Sequence, residues 1–269
     1  MVVRGQYVDC MTFLNAPEYV YLDCYIKGYT VGVQFWQELV PLLCKGGYYE
    51  HQKLSEVGWL SDDQINCWME LIIRARPPGA RYTVAKTGMS SLHLGSQKFI
   101  LETDEHIIGM LDGSSRPYPS WDDVDIVYMP LHCNGNHWVT CVINLPSSTI
   151  HVIDSLPNDD RYRTLNAHLS KWTSVLNVML QKDGHFKRTR RLPYNFNLVY
   201  NDGFCFPIPR QGNCSDCGVV TGWVIENLCS DMTPVVDGEP NIFFSVVRVN
   251  MASRFYDCRC EDTSQCGYD

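Results

Sequence analysis

An α+β fold is what the order and rhythm of apolar residues in this chain predict, and three observations carry the prediction. Residues 124–131, 137–144 and 149–153 are short β-branched and aromatic runs. They are separated by the turn residues Asn134-Gly-Asn136 and Pro146-Ser-Ser148, the pattern of neighbouring strands in one sheet. Before and after them, apolar residues recur at helical spacing in segments too long for strands. The chain shows no internal repeat and no long linker, so one domain of this class accounts for it.

Taken in order, residues 1–29 mix aromatics with Asn15, Pro17 and Gly28 and read as short strands or irregular wrapping. In residues 30–45, Val33, Phe35, Trp36, Leu39, Val40, Leu42 and Leu43 suit a short amphipathic helix stopped by Gly46-Gly47. A second helix should begin at Ser61 or Asp62, either of which can cap it, with Ile65, Trp68, Met69 and Ile72 on one face and Pro77-Pro78-Gly79 after its end. Residues 79–120 are rich in turn signals, with apolar islands at 99–101 and 107–111. After the three strands, residues 163–182 carry Leu165, Leu169, Trp172, Leu176 and Met179 along one helical stripe. Residues 196–200 are a further strand, 217–229 a helix, and 242–255 a last helix. The expected organisation is an N-terminal segment packed on the core over 1–50, a main domain over 51–257 and a Cys-containing tail over 258–269.

At 269 residues with 45% hydrophobic content, the chain can fill a sizeable core. Its net charge is −8, and the densest basic stretch is Lys187-Arg-Thr-Arg-Arg191, which argues against nucleic acid as a partner. The first residues hold no apolar signal region and no run approaches a membrane span, so an intracellular protein, in the nucleus or the cytoplasm, is expected. Thirteen scattered cysteines are not an evenly paired disulfide framework, and most should be reduced and buried.

One of them stands out. In Gln211-Gly-Asn-Cys-Ser-Asp-Cys-Gly218, followed by Val219, Val220, Trp223, Val224 and Ile225, the spacing puts Cys217 in the first turn of a buried helix, with Gly218 and Gly222 small enough for close packing. Unpaired N–H groups and the positive end of the helix dipole favour a thiolate there, which makes Cys217 the candidate nucleophile. His137, at a strand start, is the best base. Asp154, ending the next strand, is the best group to fix the imidazole's tautomer and stabilise its cation. Gln211 can offer its amide to an oxyanion, with the Cys217 N–H as second donor.

His137-Trp138, Asp154-Ser155, Gln211 and Asp216-Cys-Gly218 together resemble the catalytic pattern of the ubiquitin-like-protein-specific, or SUMO, cysteine proteases. Trp59-Leu-Ser-Asp62 resembles that family's Trp-Leu-Asn-Asp entry to its first core helix, with Ser61 in place of Asn. Val127-Tyr-Met-Pro130 matches the strand before its His-Trp. The likeness runs over about residues 55–230 in the right order. It implies a papain-like fold of the adenovirus-proteinase and SUMO-protease type, a central mixed sheet flanked by helices. It further implies a Cys217–His137–Asp154 triad and Gln211 as oxyanion donor. Substrates would be SUMO or a related modifier ending in Gly-Gly, threaded between Trp59 and Trp138, with Asp62 touching the modifier. No metal or organic cofactor is implied, and a monomer is expected.

Rival readings are an acyltransferase of the same clan, which a Glu at position 154 would have favoured, and a module that binds the modifier without turnover. Locally, Cys214 and Cys217 form a C-x-x-C, but no second pair at zinc-site spacing accompanies it.

Overall fold

The structure, a computed structural model, describes residues 24–26, 29–40, 58–91, 105–133 and 135–260. Along the chain, β1 (Cys24–Ile26) and β2 (Tyr29–Val31) precede α1 (Val33–Leu39) and α2 (Asp62–Arg74). Next come β3 (Tyr82–Val84) and α3 (Glu105–Asp112), then β4 (Ile126–Cys133), β5 (His137–Asn144) and β6 (Thr149–Ile153). The remainder is α4 (Asp159–Asp183), α5 (His185–Thr189), β7 (Asn197–Tyr200), α6 (Cys217–Cys229), α7 (Pro240–Asp257) and β8 (Arg259–Cys260). The chain divides into two compact units, one of Met1–Glu70, Pro209–Trp223 and Val236–Asp269, the other of Leu71–Ile208 and Val224–Val235.

The second unit holds the predicted sheet. Its five strands run in the order β3-β4-β5-β6-β7. The three central strands pair antiparallel, while β3 on β4 and β7 on β6 pair parallel, so the sheet is mixed. Residues 127–131 of β4 and 137–143 of β5 are buried at every position. A sheet with one face in water would alternate, so these strands are covered on both faces, and their near-continuous apolar sequence follows from that. Helix α4 buries the predicted stripe of Leu165, Leu169, Trp172, Leu176 and Met179. It is capped by the Asn158 side chain on the Arg161 N–H and ended by Gly184 at φ 82°, a left-handed conformation suited to glycine.

In this unit the turn-rich stretch 79–120 contains more order than its composition suggests. Tyr82–Val84 is an edge strand, and the apolar island at 107–111 is the body of α3. The island at 99–101 lies outside the described residues.

The first unit contains a three-stranded sheet, β2-β1-β8, in which Arg259–Cys260 of the tail pairs antiparallel with β1. Of the helix expected over 30–45, the described part runs over Val33–Leu39, starting late because Tyr29–Val31 is taken by β2; residues 41–45 lie outside the described residues. Helix α2 begins as its sequence predicts. Both the Ser61 N–H and its hydroxyl donate to Gln64 Oε1, at 2.7 and 2.6 Å, so the glutamine three residues on reaches back to the cap. Gly222 is needed on α6 because a Cβ there would lie 2.4 Å from a Trp68 ring carbon, and the indole of α2 packs directly on the α6 backbone.

Candidate active site

In the sheet unit, the antiparallel pairing of β5 with β6 brings two of the candidate residues together. Strand β5 starts where β6 ends, with Thr140 opposite Ile153, so the first residue of one strand and the residue after the other share an edge. Those residues are His137 and Asp154. The imidazole Nε2 lies 2.8 Å from Asp154 Oδ1, and both residues are buried, at 3% and 0% exposure.

Asp154 is held from several sides. Its Oδ1 also accepts the Leu156 N–H at 2.8 Å, its Oδ2 accepts from Arg161 Nη1 at 3.0 Å, and its own N–H donates to Asn201 Oδ1 at 2.8 Å. The carboxylate thus caps its turn and also orients the histidine; the two roles do not compete. Burial alone would push the Asp154 carboxyl upward. The hydrogen bond and charge of His137, the Leu156 N–H and the Arg161 guanidinium outweigh it, so the group sits below the usual carboxylate range and is ionised.

Cys217 begins α6 in the other unit, as its sequence predicts, and is buried at 3% exposure. The loop before it is knotted by Asn213. Asn213 Oδ1 accepts the N–H groups of Ser215 and Asp216 at 2.8 and 3.0 Å, and its Nδ2 donates to Asp216 Oδ2 at 2.6 Å. Gln211, also buried, spends one amide hydrogen on Asn213 O at 2.6 Å, which fixes the direction of the side chain. Arg248 of α7 donates Nε to Asp216 Oδ1 at 2.9 Å. Burial lowers this guanidinium's affinity for its proton, and Asp216 acts against that, with Cys217 also within electrostatic reach of Arg248.

Cys141 is wholly enclosed in the sheet and burial pushes its pKa up to about 12, while burial also raises that of Cys229. Both are inert small apolar residues at neutral pH. Cys214 of the C-x-x-C is exposed. Among the described residues no group of three or more His, Cys, Asp or Glu side chains is placed to hold a metal ion.

The residues matched to substrate contacts divide by exposure. Trp68, Trp121 and Trp172 are core tryptophans at 1%, 1% and 0% exposure, whereas Trp59 is 36% exposed and Asp62, at the start of α2, is exposed. Trp138 is buried and stacks on His132, with ring centroids 4.4 Å apart. Arg161, Asn213 and Arg248 were not anticipated from sequence. Only Arg248 left a signal there: it occupies a core position in the stripe Phe244, Arg248, Met251, Ala252, Phe255, where a cation has to be paired.

The model of the Ulp1 protease family's C-terminal catalytic domain matches residues 58–242, and the chain belongs to that family. Ubiquitin-like-specific protease 1 of Saccharomyces cerevisiae is 24% identical over 161 residues, 60% of this chain but only 22% of that protein. Among solved structures, the C-terminal Ulp1 protease domain in complex with Smt3, the yeast ortholog of SUMO, aligns with a TM-score of 0.62 at 16% identity, over 96% of each chain. The catalytic domain of the Ulp1-like SUMO protease of Chaetomium thermophilum aligns with a TM-score of 0.59 at 17% identity, over 95% of this chain and 90% of that one. The fold is therefore the papain-like α+β fold of these proteases, as expected.

Proposed function

We propose that this chain is a thiol protease that cleaves after the C-terminal Gly-Gly of SUMO or a close relative, releasing it from conjugates or maturing its precursor. The observation that carries the reading is the buried His137–Asp154 pair at 2.8 Å, in a chain of this family whose α6 opens on Cys217. The solved complex of the Ulp1 domain with Smt3 supports the choice of modifier.

In this reading the Cys217 thiolate attacks the carbonyl carbon of the terminal glycine. A C–S bond forms, and the oxyanion is met by the Gln211 amide and the Cys217 N–H. With Nε2 on Asp154, His137 works through Nδ1: it protonates the leaving amine as the C–N bond breaks, then takes a proton from the water that attacks the thioester, and the C–S bond breaks to restore the thiolate. Trp59, exposed, and Trp138, buried against His132, would confine the Gly-Gly backbone between indole faces, which leave no room for a Cβ. Asp62, exposed on α2, would meet a basic residue of the modifier, a contact that salt screens. The free thiols Cys205, Cys214 and Cys258 support action inside the cell, where they would stay reduced.

A panel of ubiquitin-like modifiers, each carrying a C-terminal electrophile, tests the reading. A covalent adduct with SUMO that Cys217→Ser abolishes is the expected outcome. Non-covalent capture without an adduct would make the chain a binding module, and turnover of acetyl-CoA in place of peptide cleavage would make it an acyltransferase.

A further inference from the structure

Arg248 is 6% exposed and sits on the apolar face of α7, a place an arginine occupies only when its donors are met. They are met by three segments of its own unit. Nη1 donates to Glu38 O and Leu39 O at 3.0 and 3.1 Å. These are carbonyls of the last turn of α1, which have no partner inside that helix. Nη2 donates to Gly58 O at 2.7 Å and Ser215 O at 3.0 Å, and both Nε and Nη2 reach Asp216 Oδ1, at 2.9 and 2.8 Å.

The positions of these acceptors matter more than their number. Ser215 and Asp216 are the two residues before Cys217. Gly58 is the residue before Trp59, and its φ of 86° is the left-handed turn that sends the chain toward that exposed indole. One planar, rigid group therefore ties the entry to α6 to the entry of the Trp59 segment, and both to the end of α1.

We propose that Arg248 is a positioning residue that sets the nucleophile Cys217 and the substrate-contacting Trp59 in place together. The inference rests on the protease reading for the roles of those two residues, and on the hydrogen bonds alone for the clasp. A lysine cannot replace it: an ammonium has three donors and no fork, so it cannot meet four carbonyls and a carboxylate at once. Asp216→Asn, by contrast, loosens only the nucleophile's arm and leaves the Gly58 arm bonded.

The test compares wild type, Arg248→Lys and Asp216→Asn on SUMO bearing a C-terminal fluorogenic amide, with active sites counted by the electrophilic SUMO probe. Per titrated site, Arg248→Lys should lower kcat on the order of tenfold and raise KM severalfold, the scale of lost charge-assisted hydrogen bonds. Asp216→Asn should lower kcat with KM held. A residue that merely stabilised the fold would reduce the number of titrated sites and leave kcat and KM per site as in wild type, and that result overturns the proposal. If Arg248→Lys does not fold, the kcat-only loss in Asp216→Asn decides in the same way.

A wild-type protein that neither forms the adduct nor releases the fluorophore would sink the protease reading instead. The clasp is then judged by alkylation with iodoacetamide at neutral pH, read by mass spectrometry as the rate at Cys217 relative to exposed Cys214. A fall on the order of tenfold in folded Arg248→Lys supports it, and an unchanged ratio overturns it.

Discussion

Among the described residues of the sheet unit, two buried histidines pair with aspartates, and setting them side by side separates a candidate catalytic pair from an architectural one. His137 places Nε2 on Asp154 Oδ1 at 2.8 Å. His185, 0% exposed, places Nδ1 on Asp122 Oδ1 at 2.6 Å and Nε2 on the Tyr194 hydroxyl at 2.9 Å. Both aspartates are held below the usual carboxylate range against the pull of burial, Asp154 chiefly by His137 and Asp122 chiefly by Arg188 and His185. The difference lies in the rings. Both nitrogens of His185 are committed to fixed partners that tie α5 to the short helical turn at Trp121–Asp123 and to Tyr194. His137 opens a strand at the sheet's end, its carboxylate braced by Arg161 and Leu156. A His–Asp pair is thus not itself a catalytic signature; its placement in the fold has to be weighed with it.

The largest expected effect breaks the comparison outright. His137→Ala should lower kcat/KM for SUMO cleavage by at least about 10^4-fold with little change in the unfolding midpoint, as for a residue that acts as one unit with its nucleophile. Should His185→Ala do the same in molecules that remain folded, the assignment of roles would be reversed. Next comes Asp154→Asn, which keeps the size of the side chain but no longer favours the productive tautomer and cation; a loss of about 10^3-fold in kcat is expected, checked by burst kinetics on the fluorogenic substrate.

Much of this was legible in the sequence, for identifiable reasons. Cys217 could be placed at a helix start because Val219, Val220, Val224 and Ile225 follow at helical spacing. His137 and Asp154 could be paired because the runs that end and begin at them are short, β-branched and separated by plain turns. Ser61 and Asp62 announced the start of α2. What stayed hidden was either too short to show periodicity, as with Tyr82–Val84 and His185–Thr189, or created by tertiary contact. Arg161 is a helix surface residue until β6 brings Asp154 beside it, and Tyr29–Val31 looks like the start of a helix until it pairs with β1. The pairing of Arg259–Cys260 with β1 joins segments more than 200 residues apart, and no local pattern encodes it.

A smaller effect sharpens the contrast. His185→Phe preserves an aromatic ring at the site but leaves Asp122 and the Tyr194 hydroxyl short of a partner, so it should destabilise the protein by about 1–3 kcal/mol. The loss would be read as a lowered urea midpoint at unchanged slope, with kcat per titrated site as in wild type. A variant that kept its stability and lost turnover would show that His185 reaches the chemistry after all.

The smallest effect is in the pH dependence of stability, and its sign follows from the buried ring. Burial lowers the pKa of His185 more than Asp122 raises it. At neutral pH the folded ring is uncharged, and on acidification the unfolded chain takes up a proton that the folded one resists. Stability is fully present above the unfolded value of about 6.5 and declines as pH falls from there toward the lower folded value. His185→Phe should abolish that limb. A second limb lies lower, below about pH 4, where carboxylates held down in the folded state, Asp154, Asp122 and Asp125, must be protonated. Asp154→Asn should flatten the second limb and leave the first intact. Urea titrations from pH 7 to 3 on wild type and the two variants would show both limbs; a first limb that survives His185→Phe would mean that another group titrates there and that the His185 ring is not the neutral partner its burial requires.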